Sequence, residues 1–433
     1  MKNGYVFDAD LGTSIGIITS ASYHNQQNTY GPRQWNAAQT NAYLNAIFQT
    51  SFDDSATDLW DDHHHNLSAG LSLNYDGYSE ELLLASNLSP LTYNLNRWEV
   101  TPGVFAEYTY TYKDKVTLLM GIREDYSTRY GFFTTPRMNL RYAPFEWWTL
   151  RGSVGLGYRS PNAIADNAAY LASNRMYYFN ADSLAQERSM NMGLSTVFYI
   201  PIGKRELQLS GEYYYTEFHD GVIADMDRSL HGITLYNMHD VDGARYFSHN
   251  WQVEATMEIL RGWTMTAAFR YTDVKQTTFN TATNEYQLRE KPLQNKFKGI
   301  ITTSYQTPLK TWQFDLTAQF NGEGRMPDGF AIPEGSKQYF TDENGQVHHK
   351  WYPQLLGQVT KFFRTWSIYL GAENMTNFTQ DNPIVGERLE AKGEKHGGFV
   401  NPHSANYDAS MIWAPIHGWK LYLGFRWSLE REE

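Results

Sequence analysis

Histidine-rich stretches are the first residues of this chain whose types could do chemistry. The run from Asp61 to His65 reads Asp-Asp-His-His-His, which in composition looks like a metal site, and His348-His349 is a smaller example. Successive side chains of an extended chain point to opposite sides, so three consecutive imidazoles cannot all bind one ion without an irregular turn. We therefore interpret the run as an exposed turn on the short-turn side of the molecule and predict no metal site and no cofactor.

Residues for enzymatic catalysis are the second possibility. Serine and histidine are plentiful, but the sequence shows no nucleophile elbow, no paired acidic motif at strand ends and no glycine-rich phosphate loop. Catalysis by a nucleophile also needs a base and an orienting group within hydrogen-bond reach. We predict that the protein is not an enzyme and has no catalytic residues.

The elements that must position any site are strands. The segment from Trp98 to Tyr112 alternates apolar and polar residues with period two, which is the pattern of an extended chain with one apolar face. Its length of about a dozen residues is twice that of a usual soluble strand and suits a tilted strand crossing a bilayer. The apolar set is Trp98, Val100, Val104, Ala106, Tyr108, Tyr110 and Tyr112, against Glu99, Thr101, Gly103, Glu107, Thr109 and Thr111.

The same alternation recurs to the end of the chain. It predicts about sixteen strands, whose boundaries are uncertain by several residues. They lie near residues 13–27, 38–52, 65–80, 97–112, 116–127, 133–143, 148–160, 187–199, 205–223, 248–259, 263–276, 294–306, 312–325, 353–364, 366–378 and 419–429.

The connections alternate in length. Short ones lie at 113–115, 144–146, 201–204, 261–262, 307–310 and around 365, and between them come long polar segments near 81–96, 161–186, 224–247, 277–293, 326–352 and 379–418. Short turns at one end and long loops at the other are typical of outer-membrane barrels. We therefore predict an all-β fold: an up-and-down antiparallel transmembrane β-barrel of the outer-membrane type.

Composition agrees with this fold class. Aromatic residues make up 15% of the 433 residues, yet the mean hydropathy is −0.56, and no window approaches the ~20 apolar residues of a spanning helix. The net charge of −11 argues against nucleic acid as a partner, because phosphate binding needs a basic face. The acidity also fits soluble loops. The chain has no cysteine and therefore no disulfide or thiol chemistry.

Several local sequences resemble one family. The segments at 121–125, 135–142 and 155–161 resemble, in order, barrel segments of TonB-dependent outer-membrane receptors, and Leu184 to Ser189 looks like the family's entry into the strand after a long outer loop. Further similar segments are 373–378, near the last loop, and 413–429, the closing strand; 271–275 and 288–293 resemble receptors of the Bacteroides type.

Departures from the family's pattern set the domain prediction. Family members have a signal peptide, a TonB box, a plug and a twenty-two-stranded barrel, whereas residues 1–5 are no signal peptide and the sequence shows no TonB box or plug. We interpret residues 1–433 as the C-terminal portion of a receptor barrel that lacks about the first six strands. The closing strand is followed by Glu430-Arg431-Glu432-Glu433 instead of ending on an aromatic residue.

The resemblance implies an outer-membrane receptor of a Gram-negative bacterium. Such a protein binds a scarce nutrient complex, such as a ferric siderophore, haem, cobalamin or a glycan, and imports it with TonB-derived energy delivered through the plug. Its implied partners are outer-membrane lipid, lipopolysaccharide, the nutrient and TonB. A passive porin is the alternative, because about sixteen strands would suit one.

The resemblance also implies that charges on the inward face of the strands meet the plug. Lining a wet lumen would explain each of these residues equally well. They are Arg123, Asp125, Arg151, Arg159, Glu254, Glu258 and Arg270.

Ligand contacts should come from the long loops, where rigid aromatic side chains can grip a bulky complex. Loop packing or an aromatic rim would use the same residue types. The first candidate cluster is Tyr170, Arg175, Tyr177, Tyr178 and Phe179, and the second is His219, His231, Tyr236 and His239.

Overall fold

The computed structural model describes residues 1–52, 62–84, 91–387 and 400–428, and these residues are mostly strand. Three short 3₁₀ helices, Ala165–Ala172, Ala181–Ser183 and Met238–Asp240, lie in the loops. The strands are Lys2–Asp8 (β1), Thr13–Tyr30 (β2), Arg33–Ser51 (β3), His63–Leu84 (β4), Leu91–Tyr112 (β5), Val116–Ser127 (β6), Gly131–Thr134 (β7), Arg137–Phe145 (β8), Trp148–Arg159 (β9), Met176–Tyr178 (β10), Glu187–Ile202 (β11), Arg205–Asp220 (β12), Val222–Asp225 (β13), Gly232–Asn237 (β14), Tyr246–Leu260 (β15), Trp263–Asn280 (β16), Glu285–Glu290 (β17), Phe297–Gln306 (β18), Trp312–Asn321 (β19), Gly324–Arg325 (β20), Tyr339–Thr341 (β21), Val347–His349 (β22), Tyr352–Phe362 (β23), Trp366–Glu373 (β24) and Lys420–Trp427 (β25).

One antiparallel sheet holds nineteen of the strands found in the described residues. Each strand pairs with its neighbours in chain order, so the predicted up-and-down meander is confirmed. At two places in the sheet, two successive strands pair with the same neighbour. Strands β7 and β8 both pair with β6, and strands β17 and β18 both pair with β16. Within the described residues β1 and β25 each pair on one side only, so the sheet is open at these two edges.

The two faces of the sheet differ as the alternation predicts. On the pair β15–β16, Val253 and Phe269 face each other on one side and are 53% and 51% exposed, whereas Gln252 and Arg270 face each other on the other side. Large exposed apolar side chains occur on the first face of most strands of the main sheet. We call these the apolar face and the polar face. An apolar face turned outward is how a barrel meets acyl chains.

The strands extend well beyond the length of a bilayer crossing at the loop end. Strands β4 and β5 have 22 residues each and stay paired from His63–Tyr112 to Leu84–Leu91. At about 3.4 Å per residue such a strand is roughly 70 Å long, more than twice the hydrocarbon thickness. The prediction of a long polar segment over 81–96 is wrong at both ends, because pairing continues to Leu84 and resumes at Leu91.

The buried apolar core lies among the loops, since the apolar face of the main sheet is exposed. Two small sheets, β10-β14-β13 and β20-β22-β21, form there. One cluster packs around Leu82, Ile164 and Tyr177, and another around Met326 and Trp413. The loop end is therefore a folded body on top of the sheet, which we call the loop cap: the described residues of 161–186, 221–245, 281–296, 322–351 and 374–418.

Further details differ from the sequence predictions. Strand β1 was not predicted. The predicted strand 133–143 is broken into β7 and β8, and Pro136 lies between them. Proline has no N–H to donate to the hydrogen-bond ladder of the sheet. The predicted strands 205–223 and 312–325 end at Asp220 and Asn321, beyond which the chain enters the small sheets. Leu429, at the end of the last predicted strand, lies outside the described residues.

The histidine run is also placed differently from its prediction as a turn. His63, His64 and His65 begin β4, whereas Asp61 lies outside the described residues. The Nδ1 atoms of His63 and His65 lie 2.7 and 2.6 Å from the hydroxyls of Tyr110 and Tyr108 on β5. The imidazoles thus join a row of tyrosines at the short-turn end. No helix in the described residues has the length and apolarity of a membrane span.

Candidate functional site

The segment 161–184 is held in place by its own buried side chains. Leu171 of the first 3₁₀ helix and Tyr177 of β10 pack against Leu82 and Leu84, where β4 projects beyond the belt of exposed apolar residues. The Tyr177 hydroxyl donates to the carbonyl of Asn167 at 3.0 Å. Burial raises the pKa of Tyr177 above its ordinary value. The tyrosine therefore serves as core for the loop.

A buried ion pair joins this segment to the last long loop. The Arg175 Nε donates to Asp408 Oδ2 at 2.7 Å, and both side chains are almost fully buried. Its Nη1 donates to the carbonyl of Ser229 at 3.3 Å, and the Arg33 guanidinium donates to the Arg175 carbonyl at 2.5 Å. Three loops and the end of β3 thus meet at Arg175.

A second buried network joins the middle loops. The Arg325 guanidinium donates to both carboxylate oxygens of Asp227, at 3.0 and 2.6 Å, and Arg289 makes a two-bond pair with Asp328 at 2.7 and 2.6 Å. Burial would raise the pKa of Asp227, but Arg325 outweighs it, so this pKa lies below its ordinary value. The pKa of neighbouring Asp225 is raised by burial. The two-bond geometry fixes the relative position of the loops.

Between this cap and the polar face lies a cavity of about 200 Å³. Arg159, at the end of β9, donates through Nη1 to Asp166 at 2.7 Å and through Nε to Glu187 at 2.6 Å. Rings of Tyr170 and Tyr246 contribute to the wall. The cavity therefore combines charged groups with aromatic surface, as small-molecule sites do.

Lys291 brings a second cation to the same cavity. Its Nζ donates to the Tyr246 hydroxyl at 3.1 Å, and no carboxylate of the described residues lies within ion-pair distance of it. Burial lowers the pKa of Lys291, but the Tyr246 hydroxyl and the nearby charge of Glu187 outweigh this, so the pKa lies above its ordinary value. A charged ammonium with a single hydroxyl partner can accept an anionic or hydroxylated ligand group.

The predicted aromatic cluster divides into buried and exposed members. Arg175 and Tyr177 have protein partners and are buried, whereas Tyr178 is 54% exposed. Phe179 stacks on Tyr93 with ring centroids 5.2 Å apart, and Tyr170 lines the cavity. Ligand binding by these five residues stays a prediction.

The predicted histidine cluster is not assembled into one site. His219 is exposed near the end of β12, at the irregularity where Arg188 pairs with Asp220 and Ser189 pairs with Phe218. His239 contacts Asp220 at 3.0 Å, and His231 is exposed in another loop. The Tyr236 hydroxyl donates to the Thr277 carbonyl, and burial raises its pKa. Their role in binding also stays a prediction.

All seven predicted inward charges lie on the polar face by cross-strand pairing. Arg123 donates to Asp125 at 2.5 and 2.6 Å and to Ser72 at 2.5 Å, so this pair is a structural unit of the wall. Contact with a plug stays a prediction. The remaining positions follow from these pairings: Arg151 with Ser195, Arg159 with Glu187, Glu254 with Ser210, Glu258 with Thr264, and Arg270 with Gln252.

Among the residues that line the cavity, sequence reasoning missed the polar contacts Asp166, Glu187, Tyr246 and Lys291. Glu187 and Lys291 lie within segments that resemble the receptor family, which is the one signal that marked them. Nothing in the local sequence indicates that the two loops carrying them meet. Among the described residues no group of three or more histidine, aspartate or glutamate side chains could hold a metal ion.

The described residues form an up-and-down sheet with an exposed apolar face and a loop cap over its polar face. This arrangement of strands and loops is the one found in receptor β-barrels. The family described as TonB dependent receptor-like, beta-barrel matches residues 2–375. The chain therefore belongs to the TonB-dependent receptor β-barrel family, and the resemblance seen in its sequence segments is confirmed. No curated protein matched the chain.

Solved structures agree on the fold. The ferric-catecholate import receptor Fiu from K12 E. coli is similar at a TM-score of 0.61 and 10% identity, with 98% of this chain and 63% of that chain covered. P. aeruginosa FpvA bound to heterologous pyoverdines is similar at a TM-score of 0.60 and 10% identity, with 98% of this chain and 55% of that chain covered. The ferric citrate transporter FecA is similar at a TM-score of 0.59 and 11% identity, with 98% of this chain and 60% of that chain covered. The chain thus spans less than two thirds of each of these relatives.

Proposed function

We propose that this chain is the barrel portion of a nutrient receptor in the outer membrane of a Gram-negative bacterium. The receptor binds a scarce nutrient complex at the loop cap and imports it with energy supplied by TonB through a plug domain. The observation that carries the proposal is the polar cavity between the rigid loop cap and the polar face of a receptor-family barrel.

The known roles of the structurally similar proteins support this class of function. These proteins are receptors or transporters for ferric pyoverdine, ferric citrate, ferric catecholate and copper. Each of those cargoes is a metal ion or a metal complex. We propose a metal complex with anionic or hydroxylated groups as the ligand class, because Lys291 and Arg159 supply cationic donors and Tyr170 and Tyr246 supply ring surface.

The ligand contacts divide between the cavity and its exposed surroundings. Among the described residues, the Lys291 Nζ has one hydrogen-bond partner, the Tyr246 hydroxyl, so it can still donate hydrogen bonds to a ligand. Tyr178 is the most exposed ring of the first predicted cluster and can reach a bulky ligand without disturbing the loop core. Arg175 and Tyr177 would then act indirectly, by holding the loop that carries Tyr178.

Binding to the purified protein tests the proposal. A panel of ferric citrate, a ferric catecholate and a ferric pyoverdine is titrated while intrinsic tryptophan fluorescence is recorded. For the complex that binds, Lys291→Gln should weaken affinity about tenfold, the cost of a charged hydrogen bond. Lys298→Gln is the matched control, because Lys298 lies on the polar face of β18, opposite Arg270 and distant in the sheet from the cavity wall. An equal change in affinity for the two variants would contradict a ligand site at Lys291.

A planar-bilayer conductance measurement separates the receptor from the porin alternative. A stable, uniform open pore would favour the porin. The two edge strands β1 and β25, each paired on one side within the described residues, favour a sheet that is completed by further strands.

A further inference from the structure

A groove of about 730 Å³ crosses the apolar face between β18 and β25. Its lining is almost wholly apolar and includes Phe314, Leu316, Leu370 and Leu421. Cross-strand pairing places these side chains on the same face, since Leu316 pairs with Gly357, Gly357 with Ala372, and Ala372 with Leu421. The groove therefore opens outward and is continuous with the exposed apolar belt.

Small residues create the groove. Gly357 and Ala372 occupy the two middle positions of a row that has leucines at both ends, so two neighbouring strands present almost no side chain there. The three atoms nearest to a Cβ at Gly357 would be the Met375 sulfur at 3.4 Å, the Leu316 Cδ1 at 3.6 Å and the Asp315 carbonyl oxygen at 3.7 Å. A larger side chain at Gly357 would therefore project into the groove without a backbone clash.

A cation lies on the same face towards the short-turn end. Lys361 pairs with Trp312 on one side and Ile368 on the other, and it is four residues, or about 13 Å, along β23 from Gly357. Its Nζ lies 4.6 Å from the Trp312 ring centroid and 5.7 Å from that of Phe363. Within the described residues no carboxylate forms an ion pair with it. Among the described residues, Lys361 is thus an ammonium among aromatic rings without a carboxylate partner.

We propose that this surface binds one glycerophospholipid of the inner leaflet of the outer membrane, with the phosphate on Lys361 and an acyl chain in the groove. The inference rests on the membrane location given under the proposed function. Two observations select this occupant. The groove is continuous with the lipid-facing belt, and the cation stands at the interfacial end, where aromatic rings mark the headgroup level.

The spacing also matches a phospholipid. The phosphate site and the groove floor share one face of one strand, so a single molecule can contact Lys361 with its headgroup and Gly357 with its chain. A wholly apolar partner surface would fill the groove but would leave the ammonium of Lys361 without an anion, whereas a phospholipid supplies both an acyl chain and a phosphate. Arg364, in the turn between β23 and β24, adds a second positive residue at the same end.

Native mass spectrometry of the full chain, purified from outer membranes in a mild detergent, tests the proposal. The probes are palmitoyl-oleoyl phosphatidylglycerol and the matching diacylglycerol, which has the same chains without the phosphate. Lys361→Gln should weaken retention of phosphatidylglycerol about fivefold, the effect of one basic residue at a membrane surface, and should leave diacylglycerol unchanged. Gly357→Leu should weaken both roughly tenfold, because the leucine takes the place of about two buried methylenes of the chain.

Two controls keep the result interpretable. Lys298→Gln removes the same charge from the polar face of a nearby strand and should retain phosphatidylglycerol as the unaltered protein does. Ala372→Leu fills the same row from the next strand and replaces Gly357→Leu if that variant is not recovered from the membrane fraction.

Three outcomes would overturn the inference: equal retention in Lys361→Gln and Lys298→Gln, no loss of either lipid on filling the groove, or a doubled mass that shows a second copy in place of lipid. Recovery of the unaltered chain outside the membrane would instead overturn the proposed function. The failure of one proposal is therefore distinguishable from the failure of the other.

Discussion

Acid should loosen the loop cap at His349 before it affects the main sheet. His349 of β22 is fully buried, and its ring stacks on Trp413 with centroids 4.2 Å apart and an interplanar angle of 9°. Its Nε2 has no hydrogen-bond partner among the residues that the structure describes, while its Nδ1 lies 3.2 Å from the Lys350 carbonyl. Burial lowers the pKa of His349 from 6.5 to about 4, so the folded cap holds a neutral imidazole.

The magnitude follows from this difference in pKa. Between pH 6.5 and pH 4 the opened loop binds a proton that the closed loop does not, so the free energy of opening falls as the pH falls through this range. Each pKa unit corresponds to about 1.4 kcal/mol, so the closed cap should lose about 2 kcal/mol at pH 5 and about 3 kcal/mol at pH 4. Above pH 6.5 this contribution is constant.

Hydrogen exchange of the amides in β20, β21 and β22 measures the opening. After correction for the intrinsic pH dependence of exchange, protection of these amides should fall about thirtyfold between pH 8 and pH 5. Amides of the main-sheet pair β11–β12 should keep their protection. His349→Phe, which cannot titrate, should remove the pH dependence, whereas His231→Gln in an exposed loop should retain it.

A flat pH profile in the unaltered protein would refute the assignment, because a buried neutral imidazole must respond to acid in this direction. An unchanged profile in His349→Phe would place the titrating group elsewhere.

Two further predictions concern the same body. Asp227→Asn should destabilise the loop cap by about 3–5 kcal/mol, because Arg325 would keep a buried charge without its partner. The double variant Asp227→Asn, Arg325→Gln should recover part of this loss, and hydrogen-exchange protection of the cap amides measures both effects. Gly324→Ala should raise the susceptibility of the cap to limited proteolysis, because the new Cβ would lie 2.6 Å from His349 Nε2 and 2.8 Å from the Gln294 carbonyl, and protease resistance equal to that of the unaltered chain would contradict the close packing.

The main sheet was predictable because its signal is local. A strand with one apolar and one polar face must alternate, and the segment 98–112 does so over its full length, as β5 confirms. Strand β1 was missed for the same physical reason, since its seven residues contain the consecutive apolar run Tyr5-Val6-Phe7, which has no period of two. The break at Pro136 was visible as a proline, but its effect depends on the register with β6.

The loop cap was not predictable to the same degree, because its structure depends on contacts distant in sequence. Arg175 and Asp408 are 233 residues apart, and Asp227 and Arg325 are 98 apart. Neither pair has a local pattern. Residue type alone therefore marked Arg175 as a ligand group, whereas its guanidinium is already bound within the protein.

The neighbours Tyr177 and Tyr178 show what this means for recognition. Consecutive strand residues point to opposite sides, so one ring is core of the loop cap and the other is exposed, although composition treats them alike. Buried ion pairs join the loops of the cap and its core rings are packed, so little of it needs to order when a ligand arrives. In a preformed site of this kind, ordering of the protein offsets less of the binding free energy. Specificity then depends on the few groups that can still contact a ligand, Lys291 and Tyr178 first among them.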